Sequence, residues 1–422
     1  MNTAVLQLND QSLLMLGQDA VLHEQPGFAR VDGEGIITGE AARATAWLQP
    51  QHSYNQFWVH LNQAPLASGE KWARHHADIA FAQLKALWQT AGEPQQLVLL
   101  VPASFDDSQL SLLLGLANAL PAEVTAMLDS ALAAAGGQEG DFLHLDMQLH
   151  QTVGTWCRGR SGIVRIKEQE VFPNLGLLQL YNTVARYISN LLIDSARFDP
   201  LHSSDTEQFI FDQMPDWLTR LRWDGEFSAS LDTAKGQLPF ILRNDRIREL
   251  LGERLTSVSA FVDRHKGMPL VLSHETSVLA PYADIFSQAR IAARTEALNF
   301  VLSNLQGISE QVDELYRVRS LVLDQATALQ PVVNGRQATH LLHGDRAIPL
   351  HRPVSIRLTE TGLVVSTAIE RDASLTVVAR DGTLEEVARD SAVDSELPPH
   401  CAPGASIRVG GHALRLIEVR DG

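Results

Sequence analysis

The segment 97–109 is the part of this sequence that most limits how the chain can fold. Residues 97–101 are all aliphatic, Pro102 follows them directly, and Asp106 precedes an apolar stretch. Proline ends the run because it has no backbone N–H, and aspartate is a favoured residue at a helix N-terminus. The segment therefore predicts a buried strand, a turn and a helix that Asp106 caps.

Strand and helix signals alternate along roughly the first 305 residues. Apolar residues recur at helical spacing in several segments and form short continuous runs in others. The predicted helices are 77–91, 110–120, 177–196, 245–264 (with Asn244 as a cap) and 293–305. The predicted strands include 97–101, 143–146 and 269–272. A strand running into a helix is predicted over 124–135, and a hairpin around Asp224-Gly225. This alternation predicts an α/β class with mixed or parallel sheets that helices cover.

Three segments carry a resemblance to a known family. Residues 101–109, VPASFDDSQ, resemble the "VPAxFxDxQ" segment of DnaK-type chaperones, which belong to the actin-like ATPase superfamily. Residues 31–42 resemble the "VGEEA" element of the same proteins, and residues 124–135 resemble their "RIINEPTAAAL" connection between lobes. The resemblance implies a two-lobed fold of duplicated mixed sheets with flanking helices.

The resemblance also suggests where the domains begin and end. We expect a first lobe over 1–140 and a second lobe over 141–306. Apolar residues between 308 and 329 approximate a heptad seam and predict a connecting helix over 307–330. Beyond it, short β segments separated by Asn-Gly, Asp-Gly and Gly-Gly turns predict a small all-β sandwich over 331–422.

An actin-like ATPase holds phosphate through two glycine-rich hairpins, and this chain lacks their glycines. The family's "DLGTT" falls on residues 7–12, which puts Gln7 at the metal-side aspartate and Asn9 at the glycine. Asp10 is expected to face the side opposite Gln7, because side chains alternate along a strand. The second hairpin, "DLGGGTxD", falls on 146–153 and keeps only its first aspartate, Asp146.

The adenosine loop of the family falls on 274–279, where a carboxylate stands at the second glycine position. The linker glutamate falls on Ser130, and the lysine after the first lobe's strand falls on His60. We therefore expect no ATP hydrolysis, no catalytic residue and only a vestigial nucleotide cleft. Its candidate residues are Asp10, Ser12, Asp146, Gln148, Thr152, His274 and Glu275.

The last ninety residues resemble forkhead-associated domains. Residues 403–417, PGASIRVGGHALRLI, are similar to their closing "PGDxIRVGxxxLRL" strands. The family binds phosphothreonine through charged and hydroxyl donors. In this chain, two arginines at or near the positions of those donors, Arg357 and Arg371, are candidates for binding a phosphorylated peptide. The alternative is that both lie on a solvated strand face.

Charge and cysteine content restrict the partners. A formal net charge of −16 argues against nucleic acid and anionic membranes. The two cysteines, Cys157 and Cys401, have no metal-ligand or redox spacing, and no apolar run is long enough to span a bilayer. His340 and His343 would point to opposite faces of a strand, so no metal site is expected. These features predict a cytoplasmic protein.

The sequence favours a non-catalytic scaffold that works through contacts with another protein of unknown identity and needs no cofactor. Two alternatives remain open. The first is a switch that binds ATP and Mg through Asp10 and Asp146 in a rearranged pocket. The second is a filament former, since actin-like relatives such as MreB polymerise. The oligomeric state is not predicted.

Overall fold

The computed structural model describes residues 2–66, 71–134, 140–160, 162–233, 236–277, 285–313, 317–318, 320–322, 338–344, 346–359, 362–367, 369–370, 372–380, 383–390, 393–398, 401 and 405–419. The chain forms two compact units, Met1–Leu329 and Gln330–Gly422. Within the described ranges, no helix has the length and apolar character needed to cross a membrane.

The first unit alternates strands and helices. Its first half contains β1 (Thr3–Gln7), β2 (Leu13–Gly17), β3 (Leu22–Gln25), β4 (Ala29–Asp32), β5 (Gly35–Thr38), α1 (Glu40–Arg43), β6 (Ser53–Tyr54), α2 (His76–Thr90), β7 (Gln96–Val101), α3 (Asp107–Asn118), β8 (Glu123–Asp129) and α4 (Ser130–Ala134). Short 3₁₀ turns lie at Pro50–His52 and, in the second half, at Pro200–His202.

The second half of the unit follows the same plan with longer helices. It contains β9 (Asp141–Met147), β10 (Gln151–Arg160), β11 (Ile163–Pro173), α5 (Leu177–Ala196), α6 (Ser204–Asp224), β12 (Glu226–Thr233), β13 (Gly236–Arg243), α7 (Asn244–Arg254), α8 (Thr256–Arg264), β14 (Leu270–Leu272), α9 (His274–Ser277), β15 (Arg290–Ile291), α10 (Glu296–Ser303), α11 (Leu305–Ser309), β16 (Arg317–Val318) and β17 (Ser320–Val322).

Two six-stranded mixed sheets organise this unit. Their orders are β16-β8-β7-β1-β2-β3 and β15-β14-β9-β10-β11-β17. In the first sheet β1 pairs antiparallel with β2 and parallel with β7, and in the second β9 pairs antiparallel with β10 and parallel with β14. Five strands of each sheet, β8-β7-β1-β2-β3 and β15-β14-β9-β10-β11, thus share one order and set of directions, and the sixth strand is added at opposite edges. The β1–β2 turn and the β9–β10 turn therefore hold equivalent places.

The strand β7 shows why the aliphatic run folds as predicted. Leu97 and Leu99 enter one hydrophobic cluster together with α2 and α3, whereas Val98 and Leu100 enter a second cluster on the other face. All four side chains are fully buried, so the strand is covered on both faces. Asp106 caps α3 through a capping box with Gln109, as the sequence predicts.

Two local predictions in the second half are wrong. Asp224 ends helix α6, because Gly225 has a φ of +70° and stops the helix. The hairpin lies further along, between β12 and β13. The helix predicted over 245–264 is two helices, and Leu255 separates them with its side chain fully buried. Asn244 starts α7 without a side-chain capping bond.

The connecting helix predicted over 307–330 is also wrong. Helix α11 ends at Ser309, and the chain then forms β16 and β17. β16 pairs parallel with β8 at the edge of the first sheet, and β17 pairs antiparallel with β11 at the edge of the second. Val318 and Leu321 are buried there, so the apolar residues that suggested a helical seam instead complete two sheet edges. Residues 314–316, 319 and 323–330 lie outside the described part of the chain.

The second unit consists of antiparallel sheets. Its strands are β18 (His340–His343), β19 (Arg346–Pro349), β20 (Val354–Thr359), β21 (Gly362–Ser366), β22 (Leu375–Arg380), β23 (Thr383–Arg389), β24 (Ser395–Glu396), β25 (Ser406–Val409) and β26 (His412–Ile417). They form the sheets β19-β18-β26-β25-β24 and β21-β20-β22-β23. Both sheets contribute side chains to one core, which includes Leu341, Ile356, Val377 and Leu416.

Candidate functional site

The β1–β2 turn and the β9–β10 turn meet at the bottom of the cleft between the two sheets. Asn9 donates from Nδ2 to the Asp146 carboxylate and to the Met147 carbonyl, each at 3.0 Å. Gln11 donates from Nε2 to the same carbonyl at 2.6 Å. Asp10 accepts from the Leu149 backbone N–H at 2.6 Å. Side chains of the first turn therefore bind the second turn directly.

The α9 segment closes the third side of this cleft floor. Glu275 accepts from Gln7 Nε2 at 3.4 Å. The Thr276 hydroxyl accepts from the Met147 backbone N–H at 3.0 Å. Gln7, Glu275 and Thr276 are all buried. The position that the resemblance assigns to a metal-side aspartate is thus an amide, and it pairs with the carboxylate that replaces a glycine of the adenosine loop.

Burial raises the pKa of the carboxyl groups at the cleft floor. The pKa of Asp146 rises to about 6 because the group is desolvated. Desolvation and the charge of Asp146 raise the pKa of Glu275 to about 8. Desolvation also raises the pKa of Asp10 to about 7, although the hydrogen bond from the Leu149 backbone N–H acts to lower it. Glu275 therefore keeps its proton at neutral pH, whereas Asp146 is mainly ionised.

Little space remains at the floor. A cavity of about 20 Å³ lies between Gln7, His144, Asp146 and Glu275. That volume is on the order of one water molecule. Leu149 and His150 are buried where the family brings phosphate against glycine backbone. At the positions that the resemblance assigns to phosphate-binding glycines, this chain has Asn9, Leu149 and His150, whose side chains are buried, so these residues do not fit Mg-ATP.

His150 is held in place by two partners. Its Nε2 lies 2.9 Å from the Asn55 carbonyl and its Nδ1 lies 3.2 Å from Gln179 Nε2. Desolvation lowers the pKa of this imidazole, so it is neutral at neutral pH. Because both ring nitrogens are engaged, His150 is part of the packing of the turn and is not poised to transfer a proton.

A larger cavity of about 280 Å³ remains above the floor. It is lined on one side by Ser12, Arg43 and Trp47, and on the other by Tyr181 and Phe211. The Tyr181 hydroxyl is buried and has no hydrogen-bond partner among the described residues. Aromatic and aliphatic side chains line about half of this cavity, and Glu24, Glu40, Arg43 and Arg294 add charges of both signs, so it could hold a small organic molecule with polar groups.

The rim of that cavity joins the two halves of the first unit, each built around one six-stranded sheet and called a lobe below. Trp47 stacks on Phe211 with ring centroids 4.0 Å apart. Gln208 accepts from the Trp47 backbone N–H at 2.9 Å and donates to the Arg43 carbonyl at 3.1 Å. Arg43 lies 3.8 Å from the carboxylate of Asp212. The lobes are therefore held together at the rim as well as at the floor.

The structure places most of the predicted cleft residues in one region, with different roles. Asp10, Asp146, Gln148 and Glu275 are buried at the floor, and Gln148 accepts from Gln151 at 2.8 Å. Asp10 is predicted to face the side opposite Gln7, and the two side chains have different partners, Leu149 for Asp10 and Glu275 for Gln7. β1 ends at Gln7, so strand alternation no longer applies at Asp10.

Three further candidates take other positions. Thr152 is buried and donates to the Leu175 carbonyl at 2.6 Å, which ties it to the approach to α5. Ser12 and His274 line the larger cavity. Ser130, at the expected linker glutamate, donates to the Val101 carbonyl at 3.2 Å. His60, at the expected lysine, stacks on the ring of His76.

Sequence reasoning missed the residues that clamp the lobes. The sequence patterns do not single out Gln11, Trp47, Phe211 and Gln208, although each contributes a contact across the cleft, nor Thr276, which binds Met147 within the second half of the unit. The only available signal was the polar run 7–12 directly after an apolar strand. Nothing local marks Trp47 and Phe211 as partners, because the tertiary fold alone brings them together.

In the second unit, one of the two candidate arginines lies in the described part of the chain. Arg357 forms an ion pair with Asp372, so its charge is already countered within the unit. Arg371 lies outside the described residues. In the described part of the chain, no group of three or more His, Cys, Asp and Glu side chains is arranged to hold a metal ion.

No protein-family model matches this chain, and no curated protein matches it in sequence.

Proposed function

We propose that this protein is a non-catalytic binding protein, built on a degenerate two-lobed domain of the actin-like ATPase type and a degenerate forkhead-associated-like module. The repeated strand order of the two sheets supports the first assignment. The antiparallel sheets around one core in the second unit support the assignment of a forkhead-associated-like module. Fold analogy alone is weak support for a function, so the proposal depends on the cleft.

One observation carries the proposal. Asn9, which aligns with the glycine of the first hairpin, and its neighbours Asp10 and Gln11 bind the β9–β10 turn through their side chains. Each buried hydrogen bond to a charged or carbonyl group contributes about 1–2 kcal/mol, and breaking one leaves a buried group unpaired. A triphosphate would have to displace all of them. The cleft floor is thus a structural joint, and the protein acts through its surfaces.

Phosphate release from Mg-ATP tests the absence of catalysis. We expect the full chain to release no more phosphate than buffer, and we expect Asp146→Asn to leave that result unchanged. The exposed Asp216 on α6 gives a matched control, Asp216→Asn. Release above buffer that Asp146→Asn abolishes and Asp216→Asn preserves would contradict the proposal.

A second candidate function is binding of a nucleoside-sized molecule in the larger cavity. The unpartnered Tyr181 hydroxyl and the 280 Å³ volume favour it. In that case adenosine alone would bind, and binding would not require magnesium, because the contacts on offer are the Tyr181 hydroxyl and the rings of Trp47 and Phe211. Calorimetric titration with adenosine, and with ATP in the presence and absence of magnesium, separates this candidate from a conventional ATP switch.

A further inference from the structure

A second concave surface lies between α5 and α7. It is a groove of about 390 Å³. Helix α5 contributes Asn182, Arg186 and Asn190, which are four residues apart and so share one face of the helix. Helix α7 contributes Arg246 and Arg254, which are two turns apart on its facing side. We name this surface the α5–α7 groove.

The α5–α7 groove has a charge opposite to that of the protein. Three arginines line it, and no Asp or Glu among the described residues does. The whole chain has 50 acidic and 34 basic residues. Like charges gathered in one concavity repel each other, and a low-dielectric wall strengthens their field. An anionic occupant would relieve that repulsion.

Two of the three arginines have donors available. Within the described residues, Arg186 and Arg254 form neither an ion pair nor a hydrogen bond, and both are exposed. Arg246 pairs with Glu249, which does not line the groove. A guanidinium offers five N–H donors in a planar fork that matches a carboxylate. The groove therefore presents unused, geometrically suited donors for carboxylates.

We propose that the α5–α7 groove binds a run of Asp and Glu in a partner protein. Arg246 and Arg254 are separated by eight residues of helix, about 12 Å, which matches three to four residues of an extended peptide. Asn182 and Asn190 can pair with the peptide backbone between the carboxylates. This interaction adds a partner chemistry to the proposed binding function, and it does not depend on the state of the cleft.

Fluorescence anisotropy with a labelled hexaglutamate peptide and the full-length protein tests this proposal. We expect binding that weakens as ionic strength rises, with no binding of hexaglutamine. The double variant Arg186→Glu/Arg254→Glu should weaken binding at least tenfold. Arg248 is exposed on the same helix but does not line the groove, so Arg248→Glu matches the single variant Arg254→Glu in charge and should alter binding less than twofold, whereas Arg254→Glu should weaken it more.

Three outcomes would overturn the proposal. One is no binding of hexaglutamate. Another is an equal loss of binding in the Arg248→Glu and double variants, which would indicate a general charge effect. The third is binding to phosphatidylserine vesicles, but not to the peptide, that the double variant abolishes, which would reassign the groove to a membrane. If charge reversal prevents folding, Arg186→Gln/Arg254→Gln provides the same comparison. Loss of peptide binding would leave the nucleotide results unaffected, so the two proposals fail separately.

Discussion

At the scale of single residues, the cleft depends on side chains that are polar, buried and paired. Asn9 provides one amide for two acceptors on the opposite turn, and its own Oδ1 accepts from the Gln11 backbone N–H at 2.9 Å. A glycine at this position would remove all three bonds. Asn9 therefore supplies bonds that join the β1–β2 turn to the opposite turn.

Glu275 gives the sharpest prediction at this scale. Its pKa is raised from 4.5 to about 8 by burial and by Asp146. Between these pH values the folded state holds a proton that the unfolded state releases, so the free energy of unfolding falls as pH rises toward 8. Glu275→Gln keeps an acceptor for Gln7 and removes this penalty. We expect the variant to match the parent near pH 5 and to exceed it above pH 8 by about 1–3 kcal/mol.

Urea unfolding over this pH range measures that difference. Glu253 is exposed on α7, so Glu253→Gln is a matched control for the loss of one carboxyl group. A Glu275→Gln effect of constant size at every pH would show that the carboxyl group does not titrate between pH 5 and 8 in the folded protein.

At the scale of elements, α3 offers a test of the segment that predicted the fold. The Asp106 carboxylate accepts from the Gln109 backbone N–H at 2.8 Å, and the Gln109 side-chain oxygen accepts from the Asp106 backbone N–H. Asp106→Ala should lower the free energy of unfolding by about 1 kcal/mol, the usual contribution of such a cap. Asp107→Ala loses only an exposed ion pair to Arg317 and should cost less, about 0–1 kcal/mol. Equal losses in urea unfolding would contradict a capping role.

Elements whose signals are local could be predicted from the sequence. The helix α5 matches its predicted bounds, 177–196, because its apolar residues follow a helical period throughout. The strand β7 and the cap at Asp106 follow from the aliphatic run and the aspartate beside it.

Elements that depend on distant partners could not be predicted in this way. β16 and β17 form only because β8 and β11 offer free edges that are far away in sequence. The spacing of Val318 and Leu321 suits a helix equally well. At the site, the replaced glycines were visible in the sequence, but the bonds from Asn9 and Asp10 to the opposite turn required the fold.

At the scale of the whole first unit, two layers of contacts hold the lobes together. The floor is polar and buried, and the rim is aromatic, with Trp47 stacked on Phe211. In a nucleotide-driven protein the ligand would provide these contacts and its release would free the lobes. In this protein the chain's own side chains make these contacts, so the arrangement of the two lobes does not depend on a ligand at the cleft floor.

Thermal unfolding with and without saturating Mg-ATP tests this account most directly. A ligand present at a hundredfold its Kd would add about 2.7 kcal/mol to the stability of the folded state. We predict that the midpoint of the full chain does not change, because the side chains of Asn9, Asp10 and Gln11 already bond to the opposite turn and its strand end. A rise of several degrees that Asp146→Ala removes would contradict the account.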